Sequence, residues 1–261
     1  VVEHWRGRLV ALYGSSYALS QLSGPLLLGA LGTDHDYGFW VGVALLIASP
    51  FLLLGRSGAP SSEASSVTFG DLWGFARELP AIAWAVSLFA AFEAMILTLL
   101  PVYCLQQGFT AEIALAMVST VVVGDALLQL PIGALADYLS RRTLFTGCAV
   151  VLMLSSLAIP MLLDTLLIWP LWVLFGASAG GLFTLSLILI GERYRDDALV
   201  RANAHVAQLW GVGCLIGPLM AGAGSQWISG HALPWLMAAG AFGLVILLSR
   251  QGAFGKVPEP A

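Results

Sequence analysis

Eight long apolar runs, separated by short polar loops, constrain this chain of 261 residues more than any other feature. They lie at about 9–31, 38–54, 81–104, 113–136, 143–163, 168–190, 202–226 and 232–249, the second and eighth being the shortest. A helix of about 20 apolar residues crosses about 30 Å of hydrocarbon at about 1.5 Å per residue. The runs are continuously apolar and do not alternate every second residue, so they predict helices and not barrel strands. Composition agrees. The chain is 59% hydrophobic and 10% charged, where a soluble domain carries about 25% charged residues. The net charge of −4 and the lack of a basic face exclude a nucleic-acid partner. The expected fold class is all-α: a polytopic membrane bundle of eight helices, with the lipid bilayer as its surroundings. Cys104, Cys148 and Cys214 sit in three separate apolar runs without metal-ligand spacing and read as packing thiols.

Charge placement gives the orientation. All eleven Lys and Arg residues fall on one side of the predicted fold. Arg6 and Arg8 precede the first run, and Arg56 and Arg77 lie between the second and third. Arg141 and Arg142 follow the fourth, Arg193, Arg195 and Arg201 follow the sixth, and Arg250 and Lys256 follow the eighth. The opposite loops carry only Asp34, Asp36, Glu112 and Asp164 as charged residues. The basic side is therefore expected to be cytoplasmic, together with both termini. The longest connection runs from Gly55 to Leu79. It opens with the turn-rich GRSGAPSSEASS and continues as FGDLWGFARELP, where Phe69, Leu72, Trp73 and Ala76 would share one face of a short amphipathic helix on the membrane surface. A plain loop is the alternative.

The first and seventh runs resemble each other. RGRLVALYGSSYALSQLSGPLLLGALG lies over VRANAHVAQLWGVGCLIGPLMAGAGS without a gap. Arg8 then meets Arg201, Gly24 and Pro25 meet Gly217 and Pro218, and Gly29 meets Gly222. A repeat six helices apart implies a duplicated six-helix unit, an architecture known among transporters. That count predicts four further helices before Val1. The polar residues follow a period of three helices. The second, fifth and eighth runs carry no charged, Asn, Gln or His residue in their interiors and are expected to face lipid. The first, third, fourth and seventh carry Gln21, Glu93, Asp125, Gln129, His205 and Gln208, as inner helices around something wet would. The sixth is rich in small residues instead, and its Gly176-x-x-x-Gly180 permits close helix contact.

Between the fourth and fifth runs stands GALADYLSRRTLF, Gly133 to Phe145. Gly133 lets a neighbouring helix approach, Asp137 ends its helix where it can meet a cation, and Arg141 and Arg142 can partner carboxylates or helix C-termini. These residues resemble the G-x-L-a-D-r-x-G-R-R loop of the major facilitator superfamily, in its looser second copy: Tyr138 stands for the usual basic residue and Ser140 for the usual Gly. The resemblance implies that the eight helices are the family's fifth to twelfth. Residues 1–54 are then the last two helices of one six-helix bundle, 55–80 a cytoplasmic linker, and 81–261 the second bundle. It also implies a bacterial inner-membrane protein, similar to the YcaD-like carriers, that works by alternating access. Asp137 and Arg141, with Gly133 and Arg142, take the gating role of the loop on that reading.

Two acidic residues stand inside apolar runs. A carboxylate at the centre of a membrane helix costs about 2.5–3.5 kcal/mol on insertion scales, so Glu93 must face the bundle interior, be protonated or be paired. Asp125, Gln129, Gly133 and Asp137 recur every four residues and form one stripe. Glu93 and Asp125 are therefore candidate proton-coupling groups, with Gln129, Gln21 and His205 as cavity candidates; each could equally be a satisfied packing polar. Trp84, Phe89, Phe92 and Trp210 are either cavity lining or core.

The leading functional expectation is a secondary active transporter of a small solute, coupled to protons, with no cofactor and no metal. No filter loop or charged ring points to a channel, and no HExxH, GxSxG or P-loop points to an enzyme. An intramembrane enzyme and a non-transporting fragment or assembly partner remain as alternatives. No catalytic residue is assigned. If Asp137 gates, Asp137→Asn slows solute uptake while leaving the folded yield unchanged; uptake kinetics equal to those of the unaltered protein would remove Asp137 from that role.

Overall fold

The computed structural model describes residues 36–52 and 69–250, with Ser20, Ser23, Gly24, Leu27 and Leu28 from the first run. Its elements are α1 (Tyr37–Ala48, continued by a 3-10 turn over Ser49–Leu52), α2 (Phe69–Glu78), α3 (Pro80–Thr98), α4 (Leu100–Gln106) and α5 (Ala111–Tyr138). They continue as α6 (Arg141–Leu162), α7 (Ile168–Arg193), α8 (Asp196–Trp227) and α9 (Ala232–Ser249). Among the described residues there is no strand, and α3, α6, α7, α8 and α9 are long and apolar enough to cross a membrane. The all-α membrane bundle expected from the apolar runs is what forms.

Local chemistry sets the boundaries. Pro80 opens α3 at a position where a missing N–H costs nothing. Thr110 caps α5 by accepting from the Ile113 amide, and Ser140 caps α6 by accepting from the Thr143 amide at 3.1 Å. The Ser that departs from the usual loop pattern is thus the start signal of a helix. The run expected as one helix over 81–104 is divided at Leu99. Pro101 has no N–H for the carbonyl of Leu97 and crowds it, so the helix restarts as α4. Gly108 ends α4 with φ of +92°, a left-handed turn that side chains disfavour.

α3 and α7 form the centre. α3 packs along α8, and α7 packs along α5 and α6, while α6 and α9 pair on the outside. Small residues permit these approaches. A Cβ at Gly124 would strike the backbone of Val173, and one at Gly176 would strike the carbonyl of Val121. On the other side, Gly213 and Gly217 of α8 lie against Ser87, Ala90 and Ala91 of α3, with the Ala91 Cβ only 2.6 Å from where a Cβ of Gly217 would stand. In a bilayer, where lipid tails are as apolar as the side chains, such backbone proximity supplies much of helix association.

The expected lipid-facing helices expose apolar faces: α1 buries no residue, α6 exposes Leu154, Leu157 and Met161, and α9 exposes Trp235, Phe242 and Ile246. α8, expected as an inner helix, has two faces. Gly213, Gly217 and Ala221 are buried, while Leu215, Ile216, Leu219 and Met220 are exposed. The linker helix also differs from expectation. α2 exists, but its buried face is Leu72, Phe75 and Leu79, and Trp73 points outward at 63% exposure. The buried face packs on the protein, at the ends of α3, α7 and α8, and Ala76 of the expected face is partly buried against the same cluster.

The glycine contacts are directly testable. Gly176→Ala should destabilise the purified protein by about 1–3 kcal/mol, the usual cost of forcing an extra methyl into a full site. Gly191→Ala on the same helix, where no atom lies within 4 Å, should be neutral or stabilising. Thermal unfolding in detergent reads both, and equal shifts would show that the close contact is not what Gly176 provides.

Candidate functional site

Glu93 and Asp125 face one cleft. Its walls are Phe92, Glu93, Ile96 and Leu97 of α3 and Val121, Val122 and Asp125 of α5, around a space of about 10 Å³, no more than one water would fill. Glu93 is buried, with 9% of its surface exposed, and Asp125 is half-buried. Two carboxylates from different helices thus share an otherwise apolar space, in a part of the bundle with no Lys or Arg in the surrounding apolar runs.

The packing explains why they meet. Gly176 lies against the backbone of Val121 and Asp125, so α7 holds the turn of α5 that carries Asp125. Glu93 is positioned by what precedes it on α3. Phe92 sets its ring edge-on to Phe175 at 5.1 Å, and Phe89 stacks on Phe183 at 4.9 Å. Trp210 closes the group, 5.5 Å from Phe89 and 5.0 Å from Phe183. These aromatic contacts join α3, α7 and α8 next to the cleft. Phe89, Phe92 and Trp210 therefore form an aromatic core beside Glu93, with only Phe92 reaching the cleft wall. Trp84 lies apart, half-exposed, donating to the Gly240 carbonyl at 2.9 Å.

The other candidates are placed as follows. His205 is buried on α8 and is not in the cleft. Its Nδ1 is 3.2 Å from Gln208 Oε1, and its ring stacks on Phe75 of α2 at 5.1 Å. Gln21 and Pro25 lie outside the described residues, as do the side chains of Gln129, Gly133 and Asp137. Gly24 and Gly217, aligned by the repeat, differ in surroundings: a Cβ at Gly24 would meet no described atom within 4 Å, whereas Gly217 is in tight contact with α3. Pro218 sits inside α8, one residue beyond that contact.

At the basic end, the two arginines of the loop motif reach different partners. Arg141 Nη2 pairs with Glu192 of α7 at 2.8 Å, and Arg142 Nη2 donates to the Leu248 carbonyl at the end of α9 at 2.8 Å. The second is a cation on a helix C-terminus, where the backbone dipole favours it. Arg193 Nη2 pairs with Glu78 of α2 at 2.7 Å. Next to it, the Tyr194 phenol is pushed up, by burial first and then by the Glu78 carboxylate. Glu78, Glu192 and Arg193 were not singled out by sequence. The available signal was that Glu78 and Glu192 are acids on the side where the arginines cluster. At the opposite end, Tyr103 Oη and His231 Nδ1 are 2.8 Å apart and tie α4 to the start of α9.

Comparison with known proteins fits this architecture. A sequence profile described as the Major Facilitator Superfamily matches residues 108–260. An uncharacterised MFS-type transporter of Yersinia enterocolitica is 26% identical over 265 residues, covering 98% of this chain and 66% of its own length. A similarly described protein of Enterobacter sp. strain 638 is 27% identical over 267 residues, with the same coverage, and the MFS-type transporter YcaD of Salmonella dublin is 24% identical over 260. The chain thus spans 66% of the length of these relatives. No solved structure matches it. The profile covers more than half of the chain, including the loop motif and the α5 wall of the cleft but not α3, and the chain belongs to the Major Facilitator Superfamily of membrane transporters.

Proposed function

We propose that this chain serves a secondary active carrier that moves a small solute by alternating access, with proton movement coupled through Glu93 and Asp125. The observation that carries the reading is the shared cleft: two carboxylates on α3 and α5 line one apolar space inside a membrane bundle. A carboxylate can take up and release a proton, and a solute entering the cleft would meet both carboxylates, so proton and solute would compete for or share one site. Family membership supplies the transport class. The chain's own residues supply the proton sites.

On this reading residues 81–261 form the second of two six-helix bundles, 55–80 link it to the helices of 1–54, and the basic end faces the cytoplasm of a bacterial inner membrane. The loop motif then acts at that end. Arg141 and Arg142 hold α6 to α7 and α9, and Asp137 is the residue through which the loop would respond to the other bundle.

The test separates coupling from binding. The protein is expressed from its complete reading frame and reconstituted in vesicles, and a metabolite panel is screened for uptake driven by an imposed pH gradient. Glu93→Gln and Asp125→Asn keep size and hydrogen-bonding capacity but cannot exchange a proton at neutral pH. Gradient-driven accumulation should fall by about tenfold or more, while exchange of labelled for unlabelled solute persists in at least one variant. Undiminished accumulation in both variants would overturn proton coupling through the pair.

A further inference from the structure

The buried apolar side chains of the described residues fall into two separate cores. The larger runs through the bundle. The smaller lies at the basic end, where Leu72, Phe75 and Leu79 of α2 and its exit pack against Val86 of α3, Ile190 of α7 and Val206 of α8. α2 has only ten residues, and a helix of fewer than about 12 residues is marginal in water by itself. Its docking is what makes it a helix, and without it Val86, Ile190 and Val206, all now buried, would meet water.

Of the helices beneath α2, α3 packs on both α7 and α8, but those two have little hold on each other. α7 and α8 touch only slightly along their length, and each is packed mainly on other partners. α2 reaches both. The Phe75 ring lies over His205 of α8 at 5.1 Å with 28° between the planes, and Glu78 pairs with Arg193 of α7 at 2.7 Å. α2 is joined to α3 through Leu79, whose amide donates to the Phe75 carbonyl at 2.9 Å. One short helix thus meets the basic ends of three long ones. We propose that α2 is a strap that holds the basic ends of α3, α7 and α8 together, with Phe75 as its principal fastener. The Glu78–Arg193 pair is half-exposed on the acidic side, and pairs so exposed contribute little; it sets the register of the strap. Arg193 adjoins Glu192, which takes Arg141 of the loop motif. The strap and the loop motif therefore act on consecutive residues of α7. None of this depends on the solute or on proton coupling.

The strap is tested by the access it denies. Val206 is 7% exposed under α2, and the native Cys148 is 7% exposed in the main core. In detergent-purified protein carrying Val206→Cys, N-ethylmaleimide labelling at each site is followed by mass spectrometry. Position 206 should react slowly, and adding Phe75→Ala should speed it by about tenfold or more as the strap opens, while Cys148 is unchanged and Phe75→Leu restores most of the protection. Fast labelling with Phe75 in place, or the same rate with and without it, would overturn the strap. Should Phe75→Ala also expose Cys148, hydrogen exchange in the unaltered protein decides. Amides of 69–78 protected together with those of 198–206 support the strap, and exchange of 69–78 at the rate of an unstructured peptide overturns it.

Discussion

Backbone contact between helices, made possible by missing side chains, is the constraint on which the rest of this structure depends. Gly124 and Gly176 bring α5 and α7 together, and Gly213 and Gly217 bring α8 onto α3. A membrane gives little hydrophobic reward for joining two apolar helices, so association rests on fit and close van der Waals contact. The contact also decides chemistry. Gly176 lies against the turn that carries Asp125, and Gly213 lies against the turn of α3 just before Glu93. The two acids share a cleft because their helices are held from behind at these glycines.

Polar groups are distributed in two tiers by the same physics. Inside the apolar span, the charged groups facing the cleft are carboxylates, which can become neutral by taking a proton. Arginines cannot do so at any relevant pH, and they stay at the ends. There Arg141, Arg142 and Arg193 join α6, α7, α9 and α2 through exposed or half-exposed bonds. Such bonds are individually weak.

Much of this was legible in the sequence, and the exceptions share a cause. The apolar runs predict the helices closely, because each must bury its own backbone bonds in lipid and cannot stop partway. Ser140 and Thr110 were readable as caps in principle, but the division at Leu99 hides inside an unbroken apolar run, with Pro101 as its only mark. The face of α2 was misassigned because Phe69, Leu72, Trp73 and Ala76 and the observed Leu72, Phe75 and Leu79 both have helical spacing. Spacing shows that a face exists, and only a partner shows which one. For the same reason Glu93 and Asp125 could each be singled out for their placement in apolar runs, while their convergence required knowing that α3 and α5 form one wall. His205, grouped with them by residue type, belongs to a different core.

The division between α3 and α4 bears on the cleft itself. Leu97 stands four residues before Pro101, so the amide that would normally take up its carbonyl does not exist. Leu97 is also part of the cleft wall. The break in the ladder thus falls at the turn that bears part of the cleft wall. Restoring an amide at position 101 would let the bond to Leu97 re-form and would alter the wall of the cleft together with the direction of the helix.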